Sequence, residues 1–170
     1  MLNQNPEQIA RDNIDKQLVA CGWIIQDKKR LNLAAGLGVA VREYTTDVGP
    51  ADYVLFVNHK PVGVIEAKRE EEGVKFSVHE SQVEEYAKAK LKLINNQPLP
   101  FLYLSTGVIT RFTDTRDPNP RYREVFTFHR PETLAKWGRK ESSLRERMAN
   151  SFPDLDPSGL RDCQIDAIAN

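Results

Sequence analysis

The hydrophobic positions of this chain follow two rhythms. From Glu7 to Gly22 they recur at helical spacing, with Ile9, Ile14, Leu18 and Val19 near one face and Asn5-Pro6 as a start signal. Gly22 ends that helix, Trp23-Ile24-Ile25 reads as a short extended segment, and residues 31–39, with two glycines, read as a loop. Short apolar runs then take over. Val39–Tyr44, Asp52–Val57, Val62–Lys68, Phe101–Leu104 and Val108–Phe112 read as strands, with Asn58-His59-Lys60-Pro61 and Thr106-Gly107 as turns. In the second run Val54 and Phe56 alternate with Tyr53, Leu55 and Val57, so both faces are apolar. Strands of that kind are covered on both sides, which favours an α/β layer structure. Ser77-Val78-His79-Glu80 fits a capping box opening a helix to about Leu93. Glu124–Phe128 suggests a short strand, Pro131–Trp137 and Ser142–Met148 suggest helices, and residues 152–159 resemble a linker. The expected fold is α/β, a mixed sheet of four to five strands flanked by helices. The expected organisation is a domain over 1–130, a helical segment and linker over 131–159, and the start of something further at 160–170.

Three polar residues interrupt the apolar strands. Asp52 closes Gly49-Pro50-Ala51-Asp52, and Glu66-Ala67-Lys68 ends the next strand. Charge on a buried strand is costly unless it is paired or binds a metal. Side chains alternate along a strand, so the hairpin register decides whether the three converge. A three-residue turn at 59–61 pairs Val54 with Glu66 and Asp52 with Lys68, gathering them at one sheet end. A two- or four-residue turn splits them unless a bulge intervenes.

Composition narrows the field only a little. The 170 residues are enough for one domain with a core, and the formal net charge is zero. Between Arg111 and Arg147 ten Lys/Arg face six Asp/Glu, a local basic excess compatible with phosphate binding. Cys21 and Cys163 belong to no ligand cluster, which points to reduced thiols in a cytosolic compartment. His59, His79 and His129 lack ligand spacing and read as surface or structural residues. No apolar run is long enough to span a bilayer, and the N-terminus has no signal-peptide pattern.

Carboxylate oxygens are hard donors suited to Mg²⁺, with Mn²⁺ as a possible substitute, and one or two carboxylates suffice for magnesium. Such an ion activates water for attack at phosphorus and stabilises charge on phosphate oxygens. A lysine beside them serves to orient or deprotonate the water, or to stabilise transition-state charge.

Asp52…Glu66-x-Lys68 resembles the PD-(D/E)xK nuclease signature, with Pro50-Ala51-Asp52 in place of Pro-Asp. Residues 49–55 followed by Val64–Lys68 are similar to the N-terminal nuclease domain of the restriction (R) subunit of type I restriction–modification enzymes. Gln82-Val83-Glu84-Glu85-Tyr86 matches that family's Q-x-x-x-Y motif. Ile14–Leu18 ending at Gly22-Trp23 and Val41–Tyr44 are similar too, so the resemblance covers most of residues 7–130. It departs at Thr106-Gly107, where Asn-Gly is expected. Leu160–Ile168 resembles the segment opening a superfamily 2 helicase motor, in which Gln164 would contact the adenine of ATP. No G-x-x-x-x-G-K-[ST] loop follows, so a fragment of a longer subunit is expected, without ATP binding of its own.

The resemblance implies a Mg²⁺-dependent DNA endonuclease domain with a restriction-endonuclease-like core, in a bacterial or archaeal cytoplasm. Asp52 and Glu66 would hold metal, Lys68 would assist catalysis, and Gln82 and Tyr86 would position DNA or couple cleavage to the motor. The implied partners are double-stranded DNA and the modification (M) and specificity (S) subunits, with no membrane. Cleavage would follow ATP-driven translocation, and the fragment alone is expected to cut little. Two alternatives remain: a non-catalytic DNA- or subunit-docking module, and a repair or junction-resolving nuclease on the same core.

Overall fold

The structure, a computed structural model, describes residues 5–70, 84, 85, 88, 98–151 and 156–169. Helix α1 spans Pro6–Ala20. Asn5 caps it by accepting the Glu7 N–H at 3.2 Å, and Pro6 occupies the first turn, where a missing N–H costs nothing. The buried stripe is Ala10, Ile14 and Leu18, at four-residue spacing. Ile9 and Val19, expected on that face, lie off the stripe and are exposed.

The sheet has seven strands rather than four or five: β1 (Ile24–Asp27), β2 (Gly38–Thr45), β3 (Pro50–Val57), β4 (Lys60–Ala67), β5 (Phe101–Ser105), β6 (Thr110–Asp114) and β7 (Arg123–Val125), adjacent in chain order. The additional members are edge strands of four and three residues with no fully buried position, too short and too wet to carry a strong apolar pattern. β1 with β2 and β4 with β5 pair in parallel, and the other pairs are antiparallel. Gly63 permits the β4–β5 approach, since a Cβ there would lie 2.4 Å from the Phe101 carbonyl oxygen.

Both sheet faces are covered, as the alternation in β3 required. On one face Ile14 and Leu18 of α1 pack with Tyr53, Leu55, Ile65, Tyr103 and Phe112. Leu134 joins this layer from α2 (Pro131–Gly138). The other face gathers Val39, Val41, Val54, Phe56, Val64 and Leu102. Two further helices, α3 (Leu144–Ser151) and α4 (Asp162–Ala169), follow α2. Among the described residues no helix is long and apolar enough to cross a membrane. The expected helix from 77 to 93, with Gln82 and Tyr86, lies largely outside the described residues, as do both of those side chains.

Candidate active site

The β3–β4 turn has two residues, not three. Asn58 and His59 both have positive φ, 48° and 65°, the left-handed pair that a tight antiparallel hairpin demands. Val57 therefore faces Lys60, and Phe56 faces Pro61. An uncorrected ladder would carry Asp52 opposite Ile65. A bulge between Leu55 and Phe56 absorbs Val62, so Leu55 faces Gly63 and Tyr53 faces Ile65. Continued by one residue, that register sets Asp52 across from Glu66, not from Lys68.

The three polar residues converge at this end of the hairpin. Asp52 Oδ2 accepts the Ala67 main-chain N–H at 2.9 Å, and Lys68 Nζ lies 3.0 Å from Glu66 Oε1. Their side chains are 12%, 7% and 14% exposed for Asp52, Glu66 and Lys68. Burial, then the nearby Asp52 charge, pushes the Glu66 carboxyl up to about 7, against the opposing pull of Lys68. Asp52 and Glu66, held close and largely out of water, present carboxylate oxygens of the kind a hard divalent cation takes. Among the described residues no group of three His, Cys, Asp or Glu side chains comes together at metal-binding distance.

The sequence reading missed a cation at this site. Arg11 on α1 places Nη2 2.5 Å from Asp52 Oδ1 and Nη1 3.4 Å from Glu43 Oε1. Burial opposes its charge, but Asp52 and Glu43 prevail and raise its pKa above the ordinary value. Glu43 has φ 48°, a left-handed conformation that a side chain of this size rarely adopts. Nearby, Asp15 accepts from Arg42 and from the Tyr53 hydroxyl, the latter at 2.8 Å. The available signal was the i, i+4 spacing of Arg11 and Asp15 beside the buried stripe of α1, a pattern shared with ordinary solvated helix faces. The position of α1 is fixed by its core stripe and by Gly107, whose φ of 79° and close approach to Ala10 and Asn13 leave no room for a Cβ. Gln17 Nε2 donates to the Gly107 carbonyl at 2.7 Å. A cleft of about 600 Å³ beside this cluster is lined by Arg11, Asp52 and Tyr53 together with Lys28, Lys29 and Arg30.

Gln164 is remote in sequence and exposed on α4, where its Oε1 accepts the Arg161 N–H at 3.0 Å and caps the helix. His59 lies exposed in the turn, and His129 is bonded to the Tyr103 hydroxyl at 2.7 Å.

Residues 26–107, which include the whole hairpin, match the family described as the type I restriction enzyme EcoKI endonuclease subunit second domain. These residues are thus similar to a domain of a type I restriction enzyme R subunit. The EcoKI endonuclease subunit of Escherichia coli (strain K12) is 28% identical over 213 aligned positions, covering 95% of this chain and 18% of its own length. A fragment structure of an HsdR subunit of a type I restriction enzyme from Vibrio vulnificus YJ016 overlays at 20% identity with a TM-score of 0.55, over 80% of this chain and 25% of that one. The type IIG restriction endonuclease BpuSI overlays at 19% identity and a TM-score of 0.44, over 66% of this chain and 12% of its own. The chain thus spans less than a fifth of the E. coli subunit and a quarter of the Vibrio chain.

Proposed function

We propose that this chain is the DNA-cleaving domain of a type I restriction enzyme R subunit, a PD-(D/E)xK nuclease that hydrolyses phosphodiester bonds. The observation that carries this reading is the bulge-corrected hairpin. It sets Asp52 across from Glu66 and holds Lys68 3.0 Å from the Glu66 carboxylate. Asp52 and Glu66 are the residues to hold Mg²⁺, or Mn²⁺ in its place; once bound, that ion would supply an activated water and offset negative charge on the phosphate. Lys68 keeps its ammonium beside Glu66, positioned to orient the attacking water or to meet charge developing on phosphate oxygens. Gln82 and Tyr86 are proposed to position DNA or to couple cleavage to the motor, and Gln164 to contact adenine in the longer subunit. Double-stranded DNA and the M and S subunits are the proposed partners, with cleavage following ATP-driven translocation by a motor beyond these residues. On its own the chain is expected to cut little or not at all.

The second reading, a docking module, is favoured by one feature: Arg11 and Lys68 already neutralise Asp52 and Glu66. Asp52→Ala and Lys68→Ala in the complete enzyme separate the two. The nuclease reading expects cleavage to fall by at least ~10²-fold while ATPase is retained, the order of loss seen when a transition-state contact is removed. Cleavage that survives both changes would overturn it. An equal loss of ATPase would make these residues structural.

A further inference from the structure

The two cations at the hairpin end differ in kind. Lys68 is two residues from Glu66 on the same chain segment and is anchored locally through its N–H, which donates to the Ser105 carbonyl at 2.9 Å. Arg11 arrives from α1, across 41 residues of sequence, and takes the Asp52 oxygen that Ala67 leaves open. Its guanidinium has a second acceptor within reach, Glu43 Oε1 at 3.4 Å, presented by an exposed side chain on a left-handed backbone. Helix α1 cannot carry Arg11 away, because Ile14 and Leu18 are fully buried and Gln17 is bonded to the Gly107 carbonyl. Movement is therefore confined to the arginine side chain, between the partly buried Asp52 carboxylate and the exposed Glu43 carboxylate.

We propose that Arg11 gates the metal site: its guanidinium holds Asp52 Oδ1 against an incoming divalent cation, and Glu43 receives the guanidinium when the cation arrives. The inference rests on the nuclease reading, since it presumes a cation at Asp52 and Glu66. Two positive groups sharing one carboxylate oxygen would sit within about 5 Å of each other, where even water-like screening leaves a repulsion of roughly tenfold in affinity. Arg11 is thus a positioning residue with opposite duties. It neutralises Asp52 while the ion is away and withdraws when it binds.

The test measures Mn²⁺ affinity of the full chain at pH 8, by electron paramagnetic resonance of the free ion, with no cleavage assay. Arg11→Gln is expected to bind Mn²⁺ about tenfold more tightly than the parent, and Arg11→Lys, which keeps a charge on a flexible stem, to stay near it. Glu43→Gln removes the resting place and is expected to weaken binding about threefold, with no such effect once Arg11 is Gln. An Arg11→Gln protein that binds no more tightly, while Asp52→Asn abolishes binding, would overturn the gate and leave the nuclease reading standing. A Glu43→Gln loss that persists without Arg11 would also overturn it, since Glu43 would then act on the ion directly. If neither the parent nor any Arg11 variant takes up more Mn²⁺ than Asp52→Asn, both the gate and the metal-dependent reading fall. Circular dichroism and thermal midpoints show whether each variant is folded.

Discussion

Asp52 is bonded to the main-chain N–H of Ala67, the residue between Glu66 and Lys68, at 2.9 Å. The bond ties the carboxylate of β3 directly to the backbone of β4, so register and site are one property. A left-handed two-residue turn sets the register, and the Val62 bulge corrects it. His59, at φ 65°, is the weaker turn residue, because a side chain in this region crowds its own backbone where glycine does not. His59→Gly is expected to stabilise the chain by about 1 kcal/mol and to leave Mn²⁺ affinity unchanged. Urea denaturation checks the first expectation, and a fall in stability would mean that the turn is not the tight left-handed type.

Glu66 makes the metal-free chain pH-sensitive. Its folded carboxyl, pushed up to about 7 from 4.5, retains a proton that the unfolded chain has already released. Stability therefore falls as pH rises through that window, since the folded state binds more protons there. Glu66→Gln removes the cost. At pH 8 it is expected to stabilise the metal-free chain by a few kcal/mol, with the gain vanishing toward pH 4.5. Melting both proteins across pH 4.5–8 in chelator checks the sign, and a uniform offset at every pH would contradict it.

His129 acts in the opposite sense. It lies half-buried against Phe112 and Trp137, with Nδ1 2.7 Å from the Tyr103 hydroxyl, and burial lowers its pKa below 6.5. The unfolded chain gains the proton first, so stability is lost as pH falls below about 6.5. His129→Gln is expected to flatten that acid limb, at a fixed cost in ring packing of about 1–2 kcal/mol. Urea midpoints at pH 7.5 and 5.5 give the comparison: the parent should lose more than the variant between them.

The strands were legible because β3 and β5 are apolar on both faces, and such runs identify themselves without reference to partners. β1 and β7 were harder, since an edge strand of three or four residues owes its conformation to the neighbour that pairs with it. Asp52, Glu66 and Lys68 stood out as charges on apolar strands, and parity reduced their convergence to a particular turn or a compensating bulge. Which of these occurs depends on Asn58 and His59 accepting positive φ and on Val62 leaving the ladder, choices decided by the packed sheet. Arg11 was illegible for a different reason. Its partners lie 32 and 41 residues away, and nothing local separates it from a solvated helix arginine.

Arg116 illustrates how a loop charge can hold the segment after the sheet. Nε and Nη2 fork onto both Asp114 oxygens at 2.8 and 2.7 Å, Nη1 donates to the Lys140 carbonyl at 2.8 Å, and the guanidinium carbon lies 5.0 Å from the Phe101 ring centre. Asp114 is buried, so removal of the fork strands a carboxylate in the core. Arg116→Ala is expected to cost about 3–5 kcal/mol, and Arg116→Lys nearly as much, because one ammonium cannot reproduce a planar fork and reach Lys140. Replacing the pair together, Asp114→Asn with Arg116→Met, is expected to recover much of the loss, since no buried charge then lacks its partner. Hydrogen exchange locates the effect: in Arg116→Ala the amides of residues 137–140 should lose protection before those of β4. Early loss in β4 instead would mean that Arg116 supports the sheet itself rather than the end of α2.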